Sequence, residues 1–99
     1  MEKDLEFIEL FEVYKGLLTE KQRELFSSHY LLDLSLAEIS EQEGGSRQSV
    51  YDQIKKVKAK LFEYERVLKL VEKNGELIKV AEQIHDEEIY EKIVEIIGR

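Results

Sequence analysis

Seven side chains in the middle of the chain have the chemistry to bind a polyanion such as a nucleic acid. They are Ser46, Arg47, Gln48, Ser49, Tyr51, Lys55 and Lys56. Arginine and glutamine can each form two hydrogen bonds with a base edge, arginine with guanine and glutamine with adenine. Serine hydroxyls can bond to phosphate oxygens, and the two lysines add positive charge. For Tyr51 the sequence leaves two interpretations equal, which are contact with a sugar and packing against the second helix.

A helix, a glycine turn and a further helix are predicted to present these side chains. Ser35 stands three residues before Glu38, which is the spacing of a capping box at a helix start. Gly44 and Gly45 supply the positive φ that a sharp turn needs, and Ser46 is placed to cap the next helix. Apolar residues on the two helices are expected to face each other, namely Leu36, Ile39, Val50 and Ile54. This is the layout of a helix-turn-helix, in which the second helix lies in the major groove of DNA.

The chain concentrates positive charge in this segment. The net charge of all 99 residues is −7. Residues 46–60 hold five bases and one acid, so this segment carries +4 and the rest of the chain carries −11. The bases are Arg47, Lys55, Lys56, Lys58 and Lys60, and the acid is Asp52. One positive helix on an acidic body favours DNA in a single orientation. It also predicts weak non-specific binding, because such binding depends on neutralising many phosphates.

Size and composition indicate an all-α protein. The chain has no proline, and 42% of its residues are hydrophobic and 37% charged, a balance typical of long amphipathic helices. It has no cysteine, which excludes disulfides and cysteine–zinc sites and is consistent with a reducing cytoplasm. No apolar run approaches the roughly 18 residues of a membrane span, and the acidic start MEKDLEF lacks the layout of a signal peptide. We therefore expect a cytoplasmic protein without a membrane span.

The sequence offers no catalytic or metal-binding set. It contains no glycine-rich phosphate loop and no nucleophile triad. Glu82 and His85 match half of the Glu-x-x-His motif of di-iron proteins, but no second copy is present. His29 stands alone on a mixed face and is interpreted as a packing or surface histidine. We therefore expect no enzyme activity, no cofactor and no metal.

The first two helices are predicted to bury apolar stripes. One helix is expected over about residues 4–16, and the next begins near Glu20, behind a capping box formed by Thr19 and Gln22. The first stripe is Phe7, Leu10, Phe11, Tyr14 and Leu17, and the second is Leu25, Phe26, Tyr30 and Leu32. Aromatic residues at helical spacing are far more often core than a base-stacking surface.

A single helix is predicted from Arg47 to about Glu72, well beyond a minimal helix-turn-helix. Its apolar residues alternate in spacings of four and three, which is a heptad seam. The seam is Val50, Ile54, Val57, Leu61, Tyr64, Leu68 and Val71. Asn74 and Gly75 are predicted to end the helix. We therefore divide the chain into a helix-turn-helix domain, residues 1–62, and a coiled-coil-like C-terminal extension, residues 63–99, within one continuous compact unit.

The C-terminal extension carries more apolar surface than a lone helix requires. Its apolar stripe changes phase at residues 85–87, where Asp86 can cap a second short helix. The tail is expected either to fold back on the long helix or to pair with another copy, and we favour a homodimer. The predicted dimer contacts are Leu61, Tyr64, Leu68, Val71, Ile89, Ile93 and Ile97.

Three segments carry a resemblance to a known family. They are FEVYKGLLTEKQR, SLAEIS and SRQSVYDQIKK. In order and separation they resemble the YlxM family of bacterial helix-turn-helix proteins, which is associated with the signal recognition particle operon. Residues 19–62 also resemble region 4 of bacterial sigma factors, which reads promoter DNA and belongs to the winged-helix-like DNA-binding superfamily.

The resemblance implies a helical fold, a cytoplasmic setting and a regulatory role linked to protein targeting. It places DNA contacts on Ser46, Arg47, Gln48, Ser49 and Tyr51. This chain departs from the family at Glu43 and Gly45, where apolar residues are usual, so we expect a loosely packed turn.

Two functions are consistent with these features. The first is a dimeric regulator that binds double-stranded DNA with the helix that begins at Arg47. The second is a module that modulates signal recognition particle components without binding DNA, which the net negative charge favours. In a third interpretation the basic helix is only the solvated face of a helical dimer.

Overall fold

The protein is a set of helices. The structure, a computed structural model, describes residues 2–99, with side chains from Asp4 onward. Met1, the first residue of the predicted helix-turn-helix domain, lies outside the described residues. Within residues 2–99 there are six α-helices and no β-strand: α1 Glu2–Tyr14, α2 Glu20–Phe26, α3 Leu36–Glu43, α4 Arg47–Leu68, α5 Leu70–Ala81 and α6 Glu87–Ile97. A 3-10 turn, Lys15–Leu17, follows α1, and a π-helical turn, Ser27–Leu31, continues α2.

The starts of α2, α3, α4 and α6 lie where the sequence predicts them. Thr19 and Ser35 each form a complete capping box, with Gln22 and Glu38 respectively. The Ser46 hydroxyl accepts from the Ser49 N–H at 3.0 Å and begins α4. Asp86 Oδ1 accepts from the Ile89 N–H at 3.2 Å and begins α6, so residues 76–97 contain the end of α5 and a separate helix, α6.

An aromatic core holds the first unit, which ends at Val67. The predicted stripe of α1 is buried at Phe7, Leu10, Phe11 and Tyr14. Phe11 stacks on Phe26 of α2 with ring centroids 4.4 Å apart, and Phe26 stacks on Tyr30 at 4.6 Å. The core prediction for α1 and α2 is therefore confirmed at most positions.

Two predicted core leucines are exposed instead. Leu17 falls in the 3-10 turn, and Leu18 takes the buried position. Leu32 follows the π-helical turn and is 67% exposed. Both errors have the same cause, because a 3-10 turn advances the helical phase and a π turn delays it relative to 3.6 residues per turn.

The predicted helix from Arg47 to about Glu72 is correct as far as Leu68 and wrong beyond it. The helix α4 ends at Leu68, and Lys69 adopts a left-handed conformation with φ of 54° before α5 begins. Asn74 and Gly75 lie inside α5 and end no helix. The heptad seam is buried only as far as Leu61, and Leu68 is exposed.

The chain divides into two compact units, one up to Val67 and one from Leu68 to Arg99. The boundary predicted after residue 62 falls inside α4. The second unit consists of α5 and α6, with Ala81 buried. No helix within residues 2–99 combines the length and apolar character needed to cross a bilayer.

Candidate nucleic-acid interface

The helices α3 and α4 form a helix-turn-helix around a small apolar cluster. Leu25 of α2, Ile39 of α3, and Val50 and Ile54 of α4 are buried together. The partly buried Tyr30, Leu34 and Leu36 pack against this cluster. The first turns of α4 are therefore fixed from one side by α2 and α3, which leaves the opposite side of α4 for solvent.

The turn between α3 and α4 needs glycine because of its backbone conformation. Gly44 has a φ of 80° and Gly45 a φ of 92°, values that side chains with a Cβ rarely adopt. No atom lies within 4 Å of a Cβ built at either position. The turn is loosely packed, as predicted. Glycine is required by the positive φ angles and not by a lack of room for a side chain.

The seven predicted site residues lie together on exposed surface of α4 and its cap. Ser46, Arg47, Gln48, Ser49, Tyr51, Lys55 and Lys56 are all exposed. Tyr51 is 49% exposed and also lines a cleft with Leu36 and Ile54, so its ring is half covered by the helix-turn-helix. The structure therefore brings the predicted set together on one helix and its cap, and every member keeps exposed surface.

Asp52 belongs to the same outward strip, although the sequence interpretation did not include it in the site. Gln48 Nε2 donates to Asp52 Oδ1 at 3.0 Å, and Gln53 Nε2 donates to Ser49 Oγ at 3.2 Å. The sequence did contain a signal for this contact, because side chains four residues apart on a helix, such as those of Gln48 and Asp52, can bond to each other. A carboxylate here can orient the Gln48 amide, or accept from the N4 amino group of cytosine.

Lys58 and Lys21 were also missing from the predicted set. The Lys58 ammonium lies over the Phe7 ring, 4.6 Å from its centroid, and 5.5 Å from the centroid of Tyr30. Lys21 of α2 lines a cleft with Lys56 of α4. Neither placement has a local sequence signal, because each depends on packing between helices distant in the chain.

His29 has a structural partner, as its interpretation as a packing residue implies. Its Nδ1 donates to the Leu34 carbonyl at 2.9 Å, because a carbonyl oxygen can only accept. Its ring packs edge-on against Tyr30 with centroids 4.9 Å apart.

The predicted dimer contacts are placed unequally. Leu61 has no exposed surface, so it is unable to contact a second copy and this part of the prediction is wrong. Tyr64 is half-buried and donates to the Leu17 carbonyl at 3.3 Å within the first unit. Leu68 and Ile89 are exposed, whereas Val71, Ile93 and Ile97 are half-buried. The chain itself buries the seam as far as Leu61, so any seam contact with a second copy must lie beyond that residue.

Comparison with known proteins gives a consistent assignment. Residues 1–97 match the family described as "Putative helix-turn-helix protein, YlxM / p13 like". A UPF0122 protein of Shouchella clausii (strain KSM-K16) is 51% identical over 73 residues, which cover 74% of this chain and 67% of that protein. One from Halalkalibacterium halodurans is 44% identical over 86 residues, covering 87% and 79% respectively. One from Bacillus cereus (strain AH187) is 42% identical over 107 aligned positions, covering 100% of this chain and 97% of that protein. The chain belongs to the YlxM / p13-like family of helix-turn-helix proteins, UPF0122.

Proposed function

We propose that this protein is a cytoplasmic DNA-binding regulator that inserts the first turns of α4 into the major groove. One observation carries the proposal: the only positively charged segment identified in the chain is also the exposed end of a helix-turn-helix. Buried Ile39, Val50 and Ile54 fix the direction of α4, while Arg47 and Gln48 face solvent at its start. The role proposed is binding rather than catalysis.

Each exposed side chain has a defined role in this proposal. Arg47 and Gln48 read base edges through paired hydrogen bonds. Ser46 and Ser49 lie at the helix start, where hydroxyls and backbone N–H groups contact phosphate. Lys55 and Lys56 add charge about two turns further along the helix.

Charge distribution restricts how DNA approaches. Residues 46–60 carry +4, whereas the remainder of the chain carries −11. Phosphates are attracted to the start of α4 and repelled by the remaining surface. We therefore expect one binding orientation, low non-specific affinity and a steep fall in affinity as salt increases.

Selection from a pool of randomised duplexes tests this function. The unaltered protein should enrich particular sequences, and Arg47→Ala should abolish enrichment and weaken binding to the selected duplex by about 10-fold or more, since a bidentate base contact contributes 1–3 kcal/mol. Arg66→Ala is the matched control, because Arg66 lies on the same helix but pairs with Glu63. Enrichment that is absent, or that is unchanged by Arg47→Ala, would contradict the proposal.

The second unit supports a second candidate function, contact with another protein. Its exposed apolar side chains include Leu68, Leu70, Leu77, Val80, Ile89, Val94 and Ile96. Such surface fits another copy of this chain or, in the role that the family resemblance implies, a component of the signal recognition particle. Binding of a purified particle component that persists in high salt and survives Arg47→Ala would favour this function over DNA binding.

A further inference from the structure

Two small clefts lie beside the first turns of α4, and both are lined by hydrogen-bond donors. The Lys56 cleft has a volume of about 130 Å³ and is lined by Thr19, Lys21, Gln22, Leu25, Gln53, Lys56 and Val57. The Lys58 cleft has a volume of about 190 Å³ and is lined by His29, Tyr30, Leu36, Tyr51, Ile54, Lys55 and Lys58. Neither lining contains an acidic residue, although acids outnumber bases by 22 to 15 in the chain.

The two clefts open on opposite flanks of α4. Successive residues of an α-helix are turned by about 100°. This rotation places Gln53 and Lys56 on one flank, and Tyr51, Lys55 and Lys58 on the other. Gln48 and Asp52 fall between the two flanks, on the side directed away from the buried cluster.

The Lys56 cleft offers a donor set suited to an anion. Two lysines from different helices line it, Lys21 of α2 and Lys56 of α4. The Thr19 oxygen already accepts from the Gln22 N–H at 3.2 Å, so its hydroxyl proton is free to donate outward.

The Lys58 cleft contains a lysine that is held in place. The contacts of Lys58 with Phe7 and Tyr30 hold its ammonium beside the cleft. Lys55 and the Tyr51 hydroxyl are further donors in the same lining. A side chain fixed in this way loses less freedom when it binds an anion.

We propose that each cleft seats a backbone phosphate of duplex DNA, one on each wall of the major groove that holds α4. The inference rests on the proposed function and adds contacts made by Lys21 and Lys58 to it. A helix with its side chains is about 10–12 Å wide, and the major groove is about 12 Å wide. A helix that fills the groove brings its two flanks against the two phosphate backbones.

A third cleft has a lining that does not suit phosphate. It is larger, about 520 Å³, and also borders His29 and Tyr30. Its lining includes Asp4 and Asp33, which repel phosphate. Of these three clefts, only the two on the flanks of α4 have a lining without acidic residues.

The salt dependence of binding to the selected duplex tests the proposal. Lys21→Gln/Lys56→Gln and Lys55→Gln/Lys58→Gln should each reduce the slope of log K against log salt by about 0.9, because each cleft seats one phosphate and each phosphate contact contributes roughly that amount. Lys73→Gln/Lys79→Gln, on α5, makes the same charge change and should leave the slope unaltered. Lys55→Arg/Lys58→Arg keeps the charge and should keep the slope, and thermal unfolding confirms that each variant is folded.

Neutral methylphosphonate linkages then assign each cleft to a strand. Each Gln variant should lose sensitivity to linkages on one strand only, and the two variants should differ in the strand. If one cleft variant keeps the full slope while Arg47→Ala still abolishes enrichment, the two-wall proposal is overturned and the proposed function stands. Binding that added inorganic phosphate displaces at constant ionic strength would overturn it in favour of a free-phosphate site. If the unaltered protein enriches no duplex, both proposals are overturned.

Discussion

Lys58 shows that the role of a charged side chain depends on its packing. By composition it is one of five bases in a positive segment. In the structure its ammonium lies over two aromatic rings from α1 and the π-helical turn. The same side chain therefore stabilises the first unit and supplies a donor to the Lys58 cleft, and only the folded arrangement reveals the second role.

Glu63 and Arg66 form an exposed ion pair on α4 whose effect is measurable by titration. Arg66 Nε donates to Glu63 at 2.9 Å, and this hydrogen bond lowers the pKa of Glu63 below its ordinary value of 4.5. Arg66→Gln should return the Glu63 pKa towards that value, as followed by carboxyl NMR shifts over pH 2–6. A Glu63 pKa that is ordinary in the unaltered protein would contradict the pairing.

The sign of the linked stability follows from the lowered pKa. A carboxylate whose pKa is lower in the folded state contributes stability above its unfolded value of 4.5, and this contribution disappears as pH falls through the folded pKa. Arg66→Gln should therefore reduce stability slightly at pH 7 and not at all at strongly acidic pH. The effect is small because the side chains of both residues are more than half exposed.

At the scale of elements, local sequence signals located helix starts but not every helix end. Caps depend on neighbouring residues, and the predicted caps Thr19, Ser35, Ser46 and Asp86 are present. The break at Lys69 has no such signal, because neither glycine nor proline marks it. A left-handed residue with a Cβ costs about 1–2 kcal/mol, and contacts elsewhere in the chain must offset that cost. The heptad pattern continues across residue 69 and therefore does not predict the break.

Two glycines that look equivalent in sequence should respond oppositely to alanine. Gly45→Ala should lower the free energy of unfolding by about 1–2 kcal/mol, because its φ is 92°. Gly75→Ala should raise the stability of α5 by about 0.5–1 kcal/mol, since Gly75 lies within that helix and no atom is within 4 Å of its Cβ position. Thermal unfolding followed by circular dichroism measures both changes. A neutral or stabilising Gly45→Ala would show that the turn does not hold this conformation.

At the scale of the whole molecule, the placement of the candidate site residues was easier to predict than the way the chain is divided. The seven site residues lie within eleven positions of one helix and its cap, so helical periodicity sufficed to place them together. Leu61 was misassigned to a dimer because the sequence shows that a residue is apolar but not which segment covers it. Lys21 lines the Lys56 cleft only because α2 packs against α4, which no local pattern specifies.

The exposed apolar face of α6 leads to a prediction about oligomeric state. Ile89 and Ile96 are 46% and 57% exposed and lie about two turns apart on one face of the helix. We expect the 11.7 kDa chain to sediment as a dimer, and Ile89→Glu/Ile96→Glu to weaken the dimer at least 10-fold by burying charge at its interface. Leu32→Glu is the matched control, because Leu32 is 67% exposed but lies in the first unit. Sedimentation of the unaltered protein as a monomer at all concentrations would contradict the prediction.

A dimer with two α4 helices should in turn determine the form of its DNA site. Two-fold pairs of recognition helices bind half-sites whose centres are about 10–10.5 base pairs, or multiples of that distance, apart. Duplexes selected by the unaltered protein should therefore contain paired half-sites, and inserting five base pairs between them should place the half-sites on opposite faces and remove the gain from pairing. Ile89→Glu/Ile96→Glu should bind one half-site as well as the unaltered protein does but lose the preference for two. Equal affinity of the unaltered protein for single and paired half-sites would show that its two α4 helices do not act on one duplex.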